Sequence, residues 1–200
     1  AKDLSNQRAE PEPSYKIALV LKAQGDALTK ENKADEAKKF YEEALDNVRG
    51  AINKDENYTP AYGLEAELLR ILGKTDDAKK ALLKGAEINP KSLSMQDVLY
   101  EQSLAMGDWE GMEQATRNAL ALRATSKHAG RLGNILSSRP EPDYRAAATS
   151  FEQALQLDSS NAENWAALAH IRMHELKDFG GGEAAAAHAI ELNKDNGQAW

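Results

Sequence analysis

The 200-residue chain contains no cysteine, and only 6% of its residues are aromatic. Without cysteine it cannot form disulfides, use a thiol nucleophile or build a zinc site on thiolates. It also has no run of about 18 apolar residues, so the sequence predicts no transmembrane helix. Acidic residues exceed basic ones and give a net charge of −7, which disfavours binding to a phosphate backbone. These absences exclude a disulfide-stabilised domain and argue against nucleic acid as a partner and against integral membrane insertion.

A helical pattern is the main feature that is present. Hydrophobic residues make up 42% of the chain, enough for a folded core. After Asp143, a candidate N-cap, the residues Ala147, Phe151, Ala154 and Leu155 follow at the i, i+4, i+7 and i+8 spacing of one helix face. This stretch therefore predicts an amphipathic helix.

The pattern recurs along the chain at a nearly constant period. Gly73 and Gly107, which each end a predicted helix, lie 34 residues apart. Such self-similarity is typical of stacked repeats, in which one hairpin buries its apolar face against the next. We expect a flexible arm at residues 1–13, a repeat domain at 14–194 and the start of a further, truncated helix at 195–200.

Four local expectations concern helix ends and packing. Ser14 is a candidate N-cap of the first helix. The second helix, from about Lys33 to Ile52 or the next residue, is expected to be the longest of the second helices, because its apolar spacing continues for two further turns. The glycines at 180–182 are expected to delay the start of the last helix. Phe179 is expected to fill the core.

Pieces of a known repeat motif occur in phase with this period. They are Trp165-x2-Leu168, Leu132-Gly133, Ala37-x3-Tyr41-x2-Ala44-Leu45, Ala147-x3-Phe151-x2-Ala154-Leu155 and the terminal Pro90. In these residues and in its period the chain resembles the tetratricopeptide repeat family over about residues 15–194. The third repeat departs most, with Met112 and Thr116 at positions where Ala and an aromatic are usual. The resemblance implies an all-α fold, a right-handed α-solenoid of about five helical hairpins.

The resemblance also implies where a partner would bind. In this family the first helix of each hairpin typically lines a concave groove that holds a peptide. The matching candidate residues here are Lys22, Asp26, Lys30, Glu67, Arg70, Asp97, Glu101, Asn134 and His170. Ser137 and Ala166 occupy further positions on the same helices. The alternative interpretation of these residues is a solvated helix face.

Acidic side chains dominate the middle of this predicted groove. One branch of the family holds the C-terminal carboxylate of chaperones with Lys, Asn and Arg at five positions. Of these, the chain keeps only Lys22 and has Asp26, Glu67, Asp97 and Glu101 at the others. Like charges repel an acidic ligand, so the expected partner is a basic or neutral protein or peptide segment.

No motif in the sequence indicates catalysis. His170 and His174 have a spacing that can place two imidazoles on a metal, but the sequence shows no third ligand. Asp97 and Glu101 are a pair of carboxylates without a nucleophile motif or a phosphate-binding loop. The chain is therefore expected to have no enzymatic activity, metal or cofactor.

The sequence favours a non-catalytic protein–protein interaction module. The alternative is a self-assembling structural scaffold that associates through its ends or convex face, with its C-terminal end a candidate contact between copies. The sequence leaves open whether the protein is cytoplasmic or belongs to a bacterial envelope compartment such as the periplasm, and it does not name a partner.

Overall fold

The computed structural model describes residues 10–192, and within this range the chain is helical with no strand. The helices are α1 (Glu12–Lys30), α2 (Ala34–Lys54), α3 (Thr59–Ile71), α4 (Thr75–Ile88), α5 (Leu93–Met106), α6 (Trp109–Leu122), α7 (Ser126–Ser138), α8 (Tyr144–Leu157), α9 (Ala162–His170) and α10 (Phe179–Leu192). A π-helical turn, Ile171–Glu175, directly follows α9. The predicted all-α repeat fold is confirmed. The truncated helix predicted at 195–200 and most of the predicted arm lie outside the described residues.

The chain divides into two compact units, Ala1–Asp108 and Trp109–Trp200, which we call the N-terminal unit and the C-terminal unit. In the N-terminal unit α1 packs on α2, α3 packs on α2 and α4, and α5 packs on α3 and α4. The largest side chains buried in this unit are Tyr62, Leu68, Leu69, Leu82 and Met95. Each hairpin therefore covers the apolar face of its neighbour, as the repeat pattern predicts.

The C-terminal unit repeats this arrangement. Helix α6 packs on α7, α7 on α8, α8 on α9, and α9 on α10. Its core contains Leu132, Leu136, Phe151, Leu155 and Leu168. The third predicted hairpin is divided, with α5 in the N-terminal unit and α6 in the C-terminal unit.

Two glycine–aromatic contacts set the spacing of helices within hairpins. An added Cβ at Gly25 would lie 2.6 Å from the Tyr41 ring, and one at Gly133 would lie 2.8 Å from the Phe151 ring. Both distances are shorter than carbon atoms tolerate, so only glycine allows the ring to rest on the neighbouring backbone. At both positions a small residue on the first helix of a hairpin therefore packs against an aromatic ring on the second.

The predicted helix ends are mostly confirmed. Asp143 caps α8 by accepting a hydrogen bond from the Ala146 amide, as expected for an N-cap carboxylate. Gly73 and Gly107 both have positive φ, at 76° and 67°, the conformation in which glycine ends a helix. Helix α2 has 21 residues, whereas α4, α6, α8 and α10 have 14 each, so the predicted long second helix is confirmed.

Three local predictions are wrong. Helix α1 begins at Glu12, before Ser14, because Pro11 occupies the N-cap position and Pro13 fits the first helical turn. Helix α10 begins at Phe179 and includes the three glycines, since Asp178 accepts a hydrogen bond from the Gly181 amide at 3.0 Å and stabilises this first turn. Phe179 is 65% exposed rather than buried.

Among the described residues, no helix combines the length and the apolar character that a membrane span requires.

Candidate functional site

The predicted groove residues lie on the first helices of the hairpins. Lys22, Asp26 and Lys30 are on α1, Glu67 and Arg70 on α3, Asp97 and Glu101 on α5, Asn134 on α7 and His170 on α9. The first three helices belong to the N-terminal unit and the last two to the C-terminal unit. The two sets are therefore described separately.

In the N-terminal unit, one lysine joins two of the predicted acidic residues. Lys22 Nζ lies 2.9 Å from Asp26 Oδ2 and 3.0 Å from Glu67 Oε1. The Tyr41 hydroxyl donates to Asp26 Oδ1 at 2.9 Å and lies 2.9 Å from the Thr29 hydroxyl. We call Lys22, Asp26 and Glu67 the Lys22 bridge, which links α1 to α3.

The Lys22 bridge shifts the pKa of two of its members. Burial alone would lower the pKa of Lys22, but the hydrogen bonds and charges of Asp26 and Glu67 outweigh it and the pKa is raised. Burial would likewise raise the pKa of Asp26, but hydrogen bonds from Lys22 and Tyr41 with the charges of Lys22 and Lys30 lower it. Both groups therefore stay charged over a wide pH range.

This geometry changes the expected charge pattern. The sequence suggested that Asp26 and Glu67 act only as anions that repel an acidic ligand. In the structure both contact the Lys22 ammonium, which offsets one of the two negative charges. The remaining charge is negative, but the face is less acidic than a count of carboxylates indicates.

The other candidates of the N-terminal unit differ in exposure. Lys30 is exposed at the end of α1, and Arg70 is half-buried on α3. The Nε atom of Arg70 is buried and has no hydrogen-bond partner in the described part of the chain. Asp97 is half-buried on α5, and Glu101 is exposed one turn later.

In the C-terminal unit, the ends of α7 and α9 border a cavity of about 500 Å³. Its lining residues come from α7, α8, α9 and the π-helical turn; they are Ser137, Ser138, Tyr144, Ala166, Ala167, His170, Ile171 and Glu175. Three of them, Ser137, Ala166 and His170, hold positions that the family resemblance assigned to the groove. We call this space the α7–α9 cavity.

Asn134, another predicted groove residue, is close to this cavity without lining it. Its side chain is exposed on α7, and its carbonyl oxygen accepts a hydrogen bond from the Ser137 hydroxyl at 3.1 Å. The bond holds the Ser137 side chain against its own helix. Asn134 is therefore placed to contact a ligand beside the cavity rather than inside it.

The π-helical turn shapes one wall of the α7–α9 cavity. The Leu176 amide donates to the Ile171 carbonyl at 3.0 Å, the wider bonding step of a π-helix. The rings of His170 and His174 lie 4.8 Å apart. Among residues 10–192, no three His, Asp or Glu side chains are placed to share a metal ion.

A single arginine holds this turn against its neighbours. Arg172 Nη2 lies 2.8 Å from Glu152 Oε1 on α8, and Nη1 donates to the Gly181 carbonyl on α10 at 3.3 Å. Its Nε lies 3.8 Å from Asp178 Oδ2. These contacts fix the backbone that carries His170 and Glu175.

A second depression, of about 390 Å³, lies among α2, α3 and α4 of the N-terminal unit. Two of the basic side chains that line it are paired: Arg49 with Glu65 at 2.8 Å and Lys80 with Asp77 at 3.5 Å. Because these pairs offset most of its charge, the depression has no strong preference for an anion or a cation.

Sequence reasoning missed two features of these sites. Glu175 and Tyr144 line the α7–α9 cavity, but neither is among the predicted groove residues. The contact between Lys22 and Glu67 joins two helices and depends on side-chain rotamers. No local pattern in the sequence signals either feature.

Comparisons with known proteins support the fold. The family model for the tetratricopeptide repeat matches residues 18–47 and 59–92, the regions of α1 with α2 and of α3 with α4. No curated protein sequence matches the chain.

Solved structures resemble most of the chain. MamA is 14% identical, with a TM-score of 0.60 over 85% of this chain and 94% of that chain. YrrB, a tetratricopeptide repeat protein with an unusual peptide-binding site, is 14% identical, with a TM-score of 0.58 over 91% of this chain and 89% of that chain. At this level of identity the likeness shows the fold alone.

Proposed function

We propose that the chain is a non-catalytic module that binds a peptide or protein segment on its first helices, because the tetratricopeptide repeat model matches residues 18–47 and 59–92 and the fold is that of tetratricopeptide repeat proteins. The tetratricopeptide repeat fold is a general protein–protein interaction module. The acidic pair Asp97 and Glu101 serves ligand binding in this proposal and carries no acid–base role. No cofactor takes part.

The α7–α9 cavity is the observation that carries this proposal. At about 500 Å³ it falls within the size range of specific ligand sites, roughly 300–1,000 Å³. It is lined by Ser137, Ala166 and His170, which the family resemblance places in the groove. The peptide-binding site of YrrB adds support by analogy of fold.

A basic or neutral segment fits the charges of these faces. Among the candidate residues of the N-terminal unit, four carboxylates (Asp26, Glu67, Asp97 and Glu101) stand against three cations (Lys22, Lys30 and Arg70), which leaves a net charge of −1. Negative potential over a face raises the local concentration of a cationic ligand and lowers that of an anionic one.

Display of random dodecapeptides against the immobilised protein tests the proposal. The wild type should enrich a defined set of sequences, and the Glu101→Lys variant and a Glu67→Lys variant should lose them. Matched controls are Glu43→Lys on α2 and Glu87→Lys on α4, which make the same charge change at exposed positions on second helices. Equal loss in the controls, or no enrichment by the wild type, would contradict the proposal.

The circular dichroism of each variant must also be recorded. Glu67 contacts Lys22 at 3.0 Å, so its reversal also weakens the packing of α1 on α3. A variant that melts as the wild type does but binds no selected peptide assigns the loss to the binding face.

The scaffold alternative has one observation in its favour. On α1, Ile17 is 50% exposed and Val20 is 59% exposed, and they lie three residues apart on one helix face. An exposed apolar strip of this kind can associate with another copy. Light scattering over a concentration series would show oligomers that Val20→Ser dissolves under this alternative, and a constant monomer mass would exclude it.

A further inference from the structure

We propose that the α7–α9 cavity receives a lysine or arginine side chain of the bound segment, with the Glu175 carboxylate as its counter-ion. This inference rests on the proposed function, and it assigns the cavity a ligand class. The family resemblance placed no specificity at Glu175 or Tyr144.

The inner wall of the cavity is apolar and is formed mainly by small side chains. Ala166 and Ile171 are buried and Ala167 is half-buried, so two methyl groups and one aliphatic side chain form this wall. Because the alanine side chains are small, the cavity has room for a long side chain of the ligand. The aliphatic stems of lysine and arginine pack on such surfaces while their charged ends stay near water.

Glu175 supplies the charge at the end of the cavity. It is exposed at the last position of the π-helical turn, and in residues 10–192 no cation forms an ion pair with it. The neighbouring cations are engaged elsewhere. Lys177 Nζ donates to the His174 carbonyl at 2.6 Å, and Arg172 pairs with Glu152 at 2.8 Å.

Two of the remaining polar groups of the cavity suit a cation. Tyr144 and Ser138 present hydroxyl oxygens that accept hydrogen bonds from an ammonium or guanidinium group. The half-buried Tyr144 ring also offers a face that attracts cations. An acidic side chain in the same place would meet the Glu175 carboxylate, and repulsion would exclude it.

The π-helical turn is an independent observation that points to the same place. π-helical turns are rare and occur frequently at functional sites, and this one directly follows α9. Here the turn carries Ile171 and Glu175, two of the lining residues, and the contacts of Arg172 with α8 and α10 hold it. The chain therefore keeps an irregular backbone where the cavity forms.

A positional-scanning peptide array tests the inference on the full chain. The probes are immobilised decapeptides of Ala, Ser and Gly in which one position at a time carries Lys, Arg, Gln, Glu or Leu. The wild type should favour Lys or Arg at one position. Glu175→Gln should bind those peptides about two- to fivefold more weakly, the scale of an exposed ion pair.

The matched control is Glu191→Gln, the same change at an exposed position of α10 outside the cavity, which should keep the wild-type preference. If the wild type binds peptides without preferring a cation, or if Glu175→Gln keeps the preference, this inference is wrong and the proposed function stands. If the wild type binds no peptide, both this inference and the proposed function are wrong.

Discussion

Replacing Phe151 with alanine tests the packing register of the C-terminal unit. Phe151 is 1% exposed, its ring rests on Gly133, and it shares a core with Leu132, Leu136 and Leu168. Removal of a buried Phe side chain costs about 3–5 kcal/mol, because apolar surface is lost and a cavity remains. At about 2–4 °C per kcal/mol for a chain of this size, the melting temperature of the chain should fall by roughly 6–20 °C.

The chain provides its own control. Phe179 belongs to the same unit but is 65% exposed, so Phe179→Ala should change the free energy of unfolding by no more than about 0.5 kcal/mol. Tryptophan fluorescence during urea unfolding reports on this unit, which contains Trp109 and Trp165. Equal losses in the two variants, or a loss below about 1 kcal/mol for Phe151→Ala, would refute the packing described here.

Three further predictions concern the N-terminal unit. Gly25→Ala should destabilise it by about 1–3 kcal/mol, because the new Cβ would lie 2.6 Å from a Tyr41 ring held by Asp26 and Thr29. The control Gly50→Ala, with nothing within 4 Å of its Cβ, should stabilise the unit by up to about 1 kcal/mol. Urea titration measures both changes in the free energy of unfolding. Because the pKa of Asp26 is lowered from its ordinary value of 3.8, the stability that the Asp26 carboxylate contributes should be complete above pH 3.8 and should disappear as the pH falls through the lowered pKa. An Asp26→Asn variant whose acid unfolding curve matches that of the wild type would contradict this pH dependence. Acidic C-terminal chaperone peptides should not bind at low salt, and saturable binding of such a peptide in a fluorescence anisotropy titration would refute the predicted polarity of the groove.

Repetition made most of the fold predictable from the sequence. The spacing of Ala147, Phe151, Ala154 and Leu155 indicates a helix face, and its recurrence indicates which helices pair. The extra length of α2 followed from Val48, Ala51 and Ile52, which are all buried. These inferences hold because each helix packs mainly on its neighbours, so that local periodicity carries most of the information about the tertiary contacts.

The errors occurred where the local pattern is weak. Ala184, Ala185, Ala186 and Ala187 permit more than one buried face, so periodicity alone did not decide whether Phe179 points inward. The glycines after Phe179 have low helix propensity, but the cap provided by Asp178 overrides it. Tertiary context decided both outcomes.

For the candidate site, the sequence predicted which helix faces contribute residues but not the contacts that their side chains make. The resemblance placed Ser137, Ala166 and His170 on a shared face, and all three line the α7–α9 cavity. The roles of Tyr144 and Glu175 depend on the π-helical turn, for which the sequence carries no signal. Likewise, the lowered pKa of Asp26 arises from a lysine shared with Glu67 on another helix.

Hydrogen–deuterium exchange with a bound peptide tests most directly whether the first helices form the binding face. The probe is a dodecapeptide selected by display against the wild type, added at saturation to the full chain. Exchange should slow in the first helices, above all in α7, α9 and the π-helical turn that border the cavity. Slower exchange confined to second helices such as α2, α4 and α8, with α7 and α9 unchanged, would contradict it.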